Sequence, residues 1–316
     1  MNKPFASHGD LTEKKITFTQ LSKHGYAYEA ESDPTSGVVI GPDSVAVIDA
    51  RATPIEAQDL IAQVRMITDK PIRYVILTHY HAVRTLGASA YGAEHIICSE
   101  GTFSMINERG EADFASEVGR FPRLFRGVES IPGLTYPTIT FKDRMSLWLG
   151  DLELRLEHIG RGHTRGDTVV YLPSENVLFA GDLVENGAAV YAGDGHIVEW
   201  LDTLEKVRAY NAAALVPGRG PALIGAEQIN GAIDSTQHFL RSLYESVKGA
   251  MECGADLHGA YLAARKHMDP IFGDWPIYEH CIPFVVSRMF DEINGIDTPI
   301  VWTAERDREM WQKLQG

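Results

Sequence analysis

Residues 72–87 read IRYVILTHYHAVRTLG, and the placement of the two histidines in this stretch decides how the rest of the chain is read. The first seven residues, IRYVILT, are mostly aliphatic, β-branched or aromatic and have the length of a buried strand. His79 and His81 follow at its tip. In strand-like backbone alternate residues point the same way, so the two imidazoles share a side while Tyr80 between them turns toward packing. Arg84 stands just beyond, where a third donor would otherwise be expected.

Working outward, GVVIGPDSVAVIDA (37–50) reads as two short strands around a Gly-Pro-Asp turn. IEAQDLIAQVRMIT (55–68) follows with the helical spacing of Ile55, Leu60, Ile61, Val64 and Ile67. Beyond the histidines the pattern predicts a helix around 84–92 and a short strand, HIICS (95–99). Residues 110–145 read as a long irregular loop rich in Gly, Pro and aromatics, including Phe121, Phe125, Tyr136 and Phe141. Strands return with MSLWLG, DLELRLEHIG, TVVYLP and NVLFAGD, a helix is expected at 200–210, and ALVPGRG (214–220) ends the second half. From there the pattern is helical, most clearly over 225–251, 255–268 and 280–293. No internal repeat or low-complexity tract is evident.

Both halves place polar residues at strand ends. In GRGHTRGDTVVYLP (160–173), two glycines precede His163 and let its backbone approach a ligand closely. In LFAGDLVE (178–185), Asp182 follows a buried strand through Gly181. Three histidines and a carboxylate at strand ends supply what a zinc or iron centre needs, neutral imidazole nitrogens and one anionic oxygen.

VIDA, THYHAVRTLG, GHTRGDTVVYLP and LFAGD, in this order, resemble the signature stretches of the metallo-β-lactamase fold superfamily over roughly residues 35–220. The resemblance implies an α/β fold, a four-layer αββα sandwich with metal at the sheet edges. It implies His79, His81 and His163 as ligands of one metal, Asp182 as a further ligand, and Asp49 as a buried carboxylate supporting the site. The domain division it suggests is 1–222 for the sandwich and 223–316 for a C-terminal helical segment packing on or over the active site. Two positions depart from the family pattern. Val83 and Arg84 stand where an Asp and a His are usual, and Arg219 replaces the histidine of the Pro-Gly-His-Gly turn. The ligands special to a second metal are therefore missing, and two guanidinium groups bring about the charge of the absent dication as forked donors suited to carboxylate or phosphate.

The reading that follows is a single divalent metal, zinc first with iron or manganese as alternatives. Asp182, Arg84 and Arg219 are the catalytic candidates, although Asp182 could instead pair with the arginines and leave the metal to three histidines and water. His196, on the Gly-rich loop YAGDGHIVEW (191–200), and Tyr278 and His280, at a helix start, are candidates to line the pocket together with Tyr80. The expected reaction is hydrolysis of a small anionic ester, lactone, thioester or amide. Persulfide oxidation at a mononuclear iron, or anion binding without catalysis, are the alternatives.

Composition sets outer bounds. The chain has 316 residues, 44% hydrophobic and 23% charged, with a formal net charge of −14, which disfavours nucleic acid and anionic membranes as partners. A small-molecule substrate is the expected partner, and a homo-oligomer is compatible with the sequence. Met1–Lys15 lacks an apolar core of signal-peptide length, so a cytoplasmic protein is expected. Cys98, Cys253 and Cys281 are too few and too scattered for a disulfide framework and read as buried thiols.

Overall fold

The computed structural model describes residues 11–315. Strands β1 (Ile16–Gln20), β2 (Gly25–Ala30), β3 (Ser36–Ile40) and β4 (Val45–Ile48) form an antiparallel meander. β5 (Ile72–Ile76), β6 (His95–Ser99) and β7 (Ile139–Phe141) then add in parallel, so the first sheet runs β1 to β7 in chain order. Helix α1 (Pro54–Arg65) makes the first crossover. The Thr53 side chain caps it by accepting from the Glu56 backbone N–H at 3.0 Å, and Pro54 begins it without wasting a donor.

The second sheet has the order β13-β12-β11-β10-β9-β8. β8 (Arg144–Leu149) and β9 (Leu152–Glu157) form a hairpin, β10 (Val169–Leu172) and β11 (Val177–Gly181) continue antiparallel, and α4 (Ile197–Arg208) carries the chain to β12 (Ala214–Pro217), parallel to β11. The short β13 (Leu223–Ile224) closes that edge.

Period-two alternation decides which side chains meet between the sheets. Val39, Ala46, Ile48 and Ile76 face Leu154, Leu156, Val170 and Phe179, whereas Val38, Val47 and Val75 turn outward onto Leu60 and Val64 of α1. The outer face of the second sheet packs on α4 and on the C-terminal helices α5 (Gly225–Glu252), α6 (Leu257–Phe272), α7 (Tyr278–Ile293) and α8 (Ala304–Gln315), in one continuous apolar cluster. The expected α/β architecture, helix, sheet, sheet, helix, is therefore present with helices at its C-terminal end.

Several local expectations need correction. The helix expected at 84–92 is a single turn, α2 (Ala82–Thr85), continued by a 3-10 segment to Tyr91. The loop expected from 110 begins only after α3 (Glu100–Arg120). The inward face of α3 carries Arg109, Asp113, Ser116, Glu117 and Arg120, so a hydrophobic period is absent although the helix is buried on that side. Helix α8 falls within the stretch expected to be helical, beyond its clearest segments, and Cys253 is exposed, against the expectation of a buried thiol, while Cys98 and Cys281 are buried. Among the described residues no helix is long and apolar enough to cross a membrane.

Candidate metal centre

The ends of β4, β5, β11 and β12 and the loop after β9 converge at one edge of the sandwich. Asp49, just past β4, adopts a left-handed backbone (φ 63°) that aspartate tolerates better than most residues. Its carboxylate accepts from the Thr78 backbone N–H and from the Thr78 hydroxyl, both at 2.8 Å. Gly181, at φ 54°, lets the Asp182 turn approach Thr78, since a Cβ there would lie 2.7 Å from the Thr78 hydroxyl oxygen.

One ring nitrogen from each of His79, His81 and His163 lies within 4.8 Å of the other two, and all three side chains are buried. Their hydrogen bonds fix the tautomers. Because the Thr78 hydroxyl donates to Asp49, its oxygen accepts from His79 Nδ1 at 3.0 Å, which leaves the lone pair on Nε2. The Tyr191 carbonyl accepts from His163 Nδ1 at 2.8 Å, leaving the lone pair on Nε2. The Asp194 carboxylate faces His81 Nε2 at 3.3 Å, leaving the lone pair on Nδ1. Three lone pairs therefore point at one another. His79 Nε2 is buried with no partner, and His163 Nε2 faces His81 Nδ1 at 3.0 Å, a contact that requires a cation or a proton between them. This donor set fits a divalent metal, and the outer carboxylates and carbonyl are the kind of support that orients imidazole ligands.

Asp182 completes the edge. Its Oδ2 lies 3.8 Å from His79 Nε2 and 3.7 Å from His163 Nε2. Arg84 donates to its Oδ1 and, at 2.7 Å, to the Gly218 carbonyl, while Arg219 donates to Oδ2 at 3.1 Å and to Glu185 at 3.0 Å. A Cβ on Gly218 would lie 2.5 Å from Asp182 Oδ1, so glycine is needed for this approach. Burial alone would raise the pKa of Asp182, but Arg84, His79 and Arg219 outweigh it and hold the carboxyl well below the usual range. Burial keeps His79 well below its ordinary value and takes His163 to about 3. For His81 burial also works downward, but Asp113, Asp194 and Glu117 outweigh it and lift the pKa to about 9.

A family model described as the metallo-beta-lactamase superfamily matches residues 31–219. The chain belongs to the metallo-beta-lactamase superfamily. It is 28% identical over 221 residues to the "Metallo-beta-lactamase type 2" of Bacteroides fragilis, covering 65% of this chain and 79% of that protein. It is 20% identical over 254 residues to the "Linear primary-alkylsulfatase" of a Pseudomonas strain, covering 69% of this chain but only 47% of that protein. The solved metallo-beta-lactamase from Pontibacter korlensis superposes with a TM-score of 0.56 at 19% identity, covering 72% of this chain and 99% of that one, a likeness of fold.

In this metallo-beta-lactamase-superfamily chain, two adjoining cavities give access to the histidines. The inner one, about 10 Å³, has room for one water and is bounded by His81, His163, Asp182, Arg219, Arg120 and His280 among others. The outer one, about 180 Å³, lies between the β2–β3 turn, the segment after α3 and the start of α7. Phe121, Arg219, Ile277 and His280 line both.

The structure sorts the remaining candidates. Arg219 faces both cavities, whereas Arg84 lines neither and is enclosed at 1% exposure. His280 faces both, accepts from Arg120 at 3.1 Å and packs against Phe121 with the rings tilted at 48° and their centres 4.1 Å apart. Tyr278 lines the outer cavity and donates to Asp269 at 2.8 Å. Tyr80 is buried against the ring of His81 and lines neither cavity. His196 also lines neither. It starts α4, with Nδ1 3.7 Å from Asp297, so its expected pocket role is not supported by its place in the fold. Two residues earlier in the same loop, Asp194 turns in to His81 and is held by Arg109 at 3.0 Å. Asp194 and Arg120 are the residues the sequence reading missed. The carboxylate of the Gly-Asp in YAGDG, a repeat of the Ala-Gly-Asp that carries Asp182, was the available signal for the former.

Proposed function

We propose that this protein is a metal-dependent hydrolase that holds one divalent ion, zinc first, on His79, His81 and His163, with Asp182 as the adjoining anionic donor. The observation that carries this reading is the tautomer pattern: all three imidazoles are pinned on their outer nitrogens, so three buried lone pairs face a common point. An ion bound there would supply Lewis acidity and a water of lowered pKa. Asp182 Oδ2 would orient that water by accepting its hydrogen bond, since a carboxyl held this acidic is a poor base. Arg219 presents a guanidinium to the cavities, where it can hold an anionic end of the substrate or a developing oxyanion. Arg84 acts through Asp182, fixing the carboxylate as ionised. A small ester, lactone, thioester or amide suits this arrangement, and the names of the relatives add β-lactams and alkyl sulfates to the substrates worth testing.

Elemental mass spectrometry on untagged protein, paired with turnover on one representative of each of these classes, tests the proposal. About one zinc per chain and a turnover lost in His163→Ala would support it. Iron with oxygen uptake, or a protein that neither retains metal nor gains activity on reloading, would overturn it.

A further inference from the structure

We infer that the outer cavity seats the apolar arm of the substrate and that this arm is a single aromatic ring or an acyl chain of similar bulk, an assignment that rests on the hydrolase reading above. The first observation is size. A dry cavity of about 150 Å³ accommodates one benzene-like ring, and this one is about 180 Å³. The second is its wall. Phe121, Leu124, Trp275, Ile277 and the ring of Tyr278 provide apolar surface. The charged groups of the wall are engaged: Arg123 donates to both oxygens of Asp33 at 2.6 Å, and Arg219, at the end shared with the inner cavity, donates to Asp182 and Glu185. A charged arm would break such pairs, whereas an apolar one leaves them intact.

Orientation follows from the two volumes. The inner cavity holds about one water, so a ring cannot enter it, and the reacting group reaches as far as the neck of Phe121, Arg219, Ile277 and His280, with the water-sized space between it and His81 and His163. The neck is fixed. Ile277 has φ 58° and ψ 3°, a left-handed conformation unusual for a β-branched residue. It is kept there by the Tyr278 N–H donating to the Trp275 carbonyl at 3.0 Å and by the Ala189 N–H donating to the Pro276 carbonyl at 3.0 Å. Phe121 and His280, which line both cavities with it, pack ring against ring at a 48° tilt. Because an arginine only donates, the bond from Arg120 makes His280 Nε2 an acceptor and sets that ring's orientation.

The test compares phenyl acetate with 2-naphthyl acetate on the zinc-loaded full chain and on two variants. Trp275→Ala enlarges the cavity and should move the ratio of kcat/KM toward the naphthyl ester by about 10-fold or more, and Leu124→Trp should move it the other way by a similar factor. Ratios unchanged in both variants would overturn the assignment. If neither ester is turned over, binding of benzyl alcohol decides, since it needs no hydrolysis. Binding by the parent and its loss in Leu124→Trp supports the arm site even where the hydrolase reading fails. Equal binding by both proteins, or binding by neither, overturns it.

Discussion

Loading the three-histidine pocket with zinc should expel about one proton per chain at pH 7. Before loading, the protein groups hold one proton among three converging lone pairs. It resides on His81, whose pKa stands at about 9 because Asp113, Asp194 and Glu117 outweigh burial, while burial keeps His163 at about 3 and His79 well below its usual value. His163 Nε2, 3.0 Å away, accepts that proton's hydrogen bond. Zinc needs the same lone pair, so binding must displace the proton. The apparent affinity should therefore rise about tenfold per pH unit from near neutrality to about pH 9, roughly 100-fold from pH 7, and then level off. The sign for folding of the metal-stripped protein is the opposite. A histidine raised above its unfolded value of about 6.5 contributes stability that is complete below that pH and lost as pH rises through about 9, about 3 kcal/mol in all.

Calorimetric titration of zinc into metal-stripped protein, in buffers of different ionisation enthalpy, counts the protons directly at pH 7 and again above pH 9. Asp194→Asn removes one of the carboxylates facing His81 while keeping the side-chain shape, so it should lower the proton count at pH 7 and flatten the pH dependence. A count near zero for the parent protein at pH 7 would refute the reasoning. So would an unchanged slope in the Asp194→Asn protein.

The remaining expectations concern ligands and arginines. His79→Ala and His163→Ala should each lose most of the bound metal with the circular dichroism spectrum retained, and the parent should saturate at one transition metal per chain by elemental analysis. Asp182→Asn leaves Arg84 and Arg219 buried without their shared counter-charge and should cost about 3–5 kcal/mol in urea unfolding. Arg84→Met should weaken turnover of anionic and neutral analogues alike, because Arg84 lines no cavity. Arg219→Met should selectively penalise the anionic analogue by about 10- to 150-fold in kcat/KM. Equal losses in Arg219→Met would remove Arg219 as an anion contact. The triple variant Val83→Asp, Arg84→His, Arg219→His restores the family's usual donors and should bind a second ion.

What the sequence made legible, and what it hid, follows from which signal each element carries. β5 and the histidines after it could be read because an apolar run ending in imidazoles is visible in one dimension, and the same holds for β11 and Asp182. Helix α3 could not, because beyond Met105 and Ile106 its buried face is mostly Arg109, Asp113, Ser116, Glu117 and Arg120, and a hydrophobic period is blind to a charged interior. That interior supports the site: Asp113 and Glu117 accept from the Ala82 and Val83 backbone N–H groups at 2.7 and 2.9 Å and so cap the turn that carries Arg84. Asp194 escaped for a related reason. It meets His81 from 113 residues away, and only the folded chain shows that this carboxylate, and not His196 beside it, reaches the pocket.

The two arginines give the site its asymmetry. Arg84 spreads its donors over Asp182, the Gly218 carbonyl and the Thr35 carbonyl, and Arg219 divides one between Asp182 and Glu185. Like a metal ion, they keep Asp182 ionised in a buried place. Unlike one, a guanidinium has no vacant orbital, cannot lower the pKa of a water and cannot exchange its ligands. The second position therefore supplies fixed positive charge and no second nucleophile. Chemistry that clamps both the attacking and the leaving oxygen between two ions is unavailable to such a pair. On the one-ion proposal, the reactions left open are those a single ion can drive, and Arg219, which faces the cavities, is the residue we propose meets charge on the substrate.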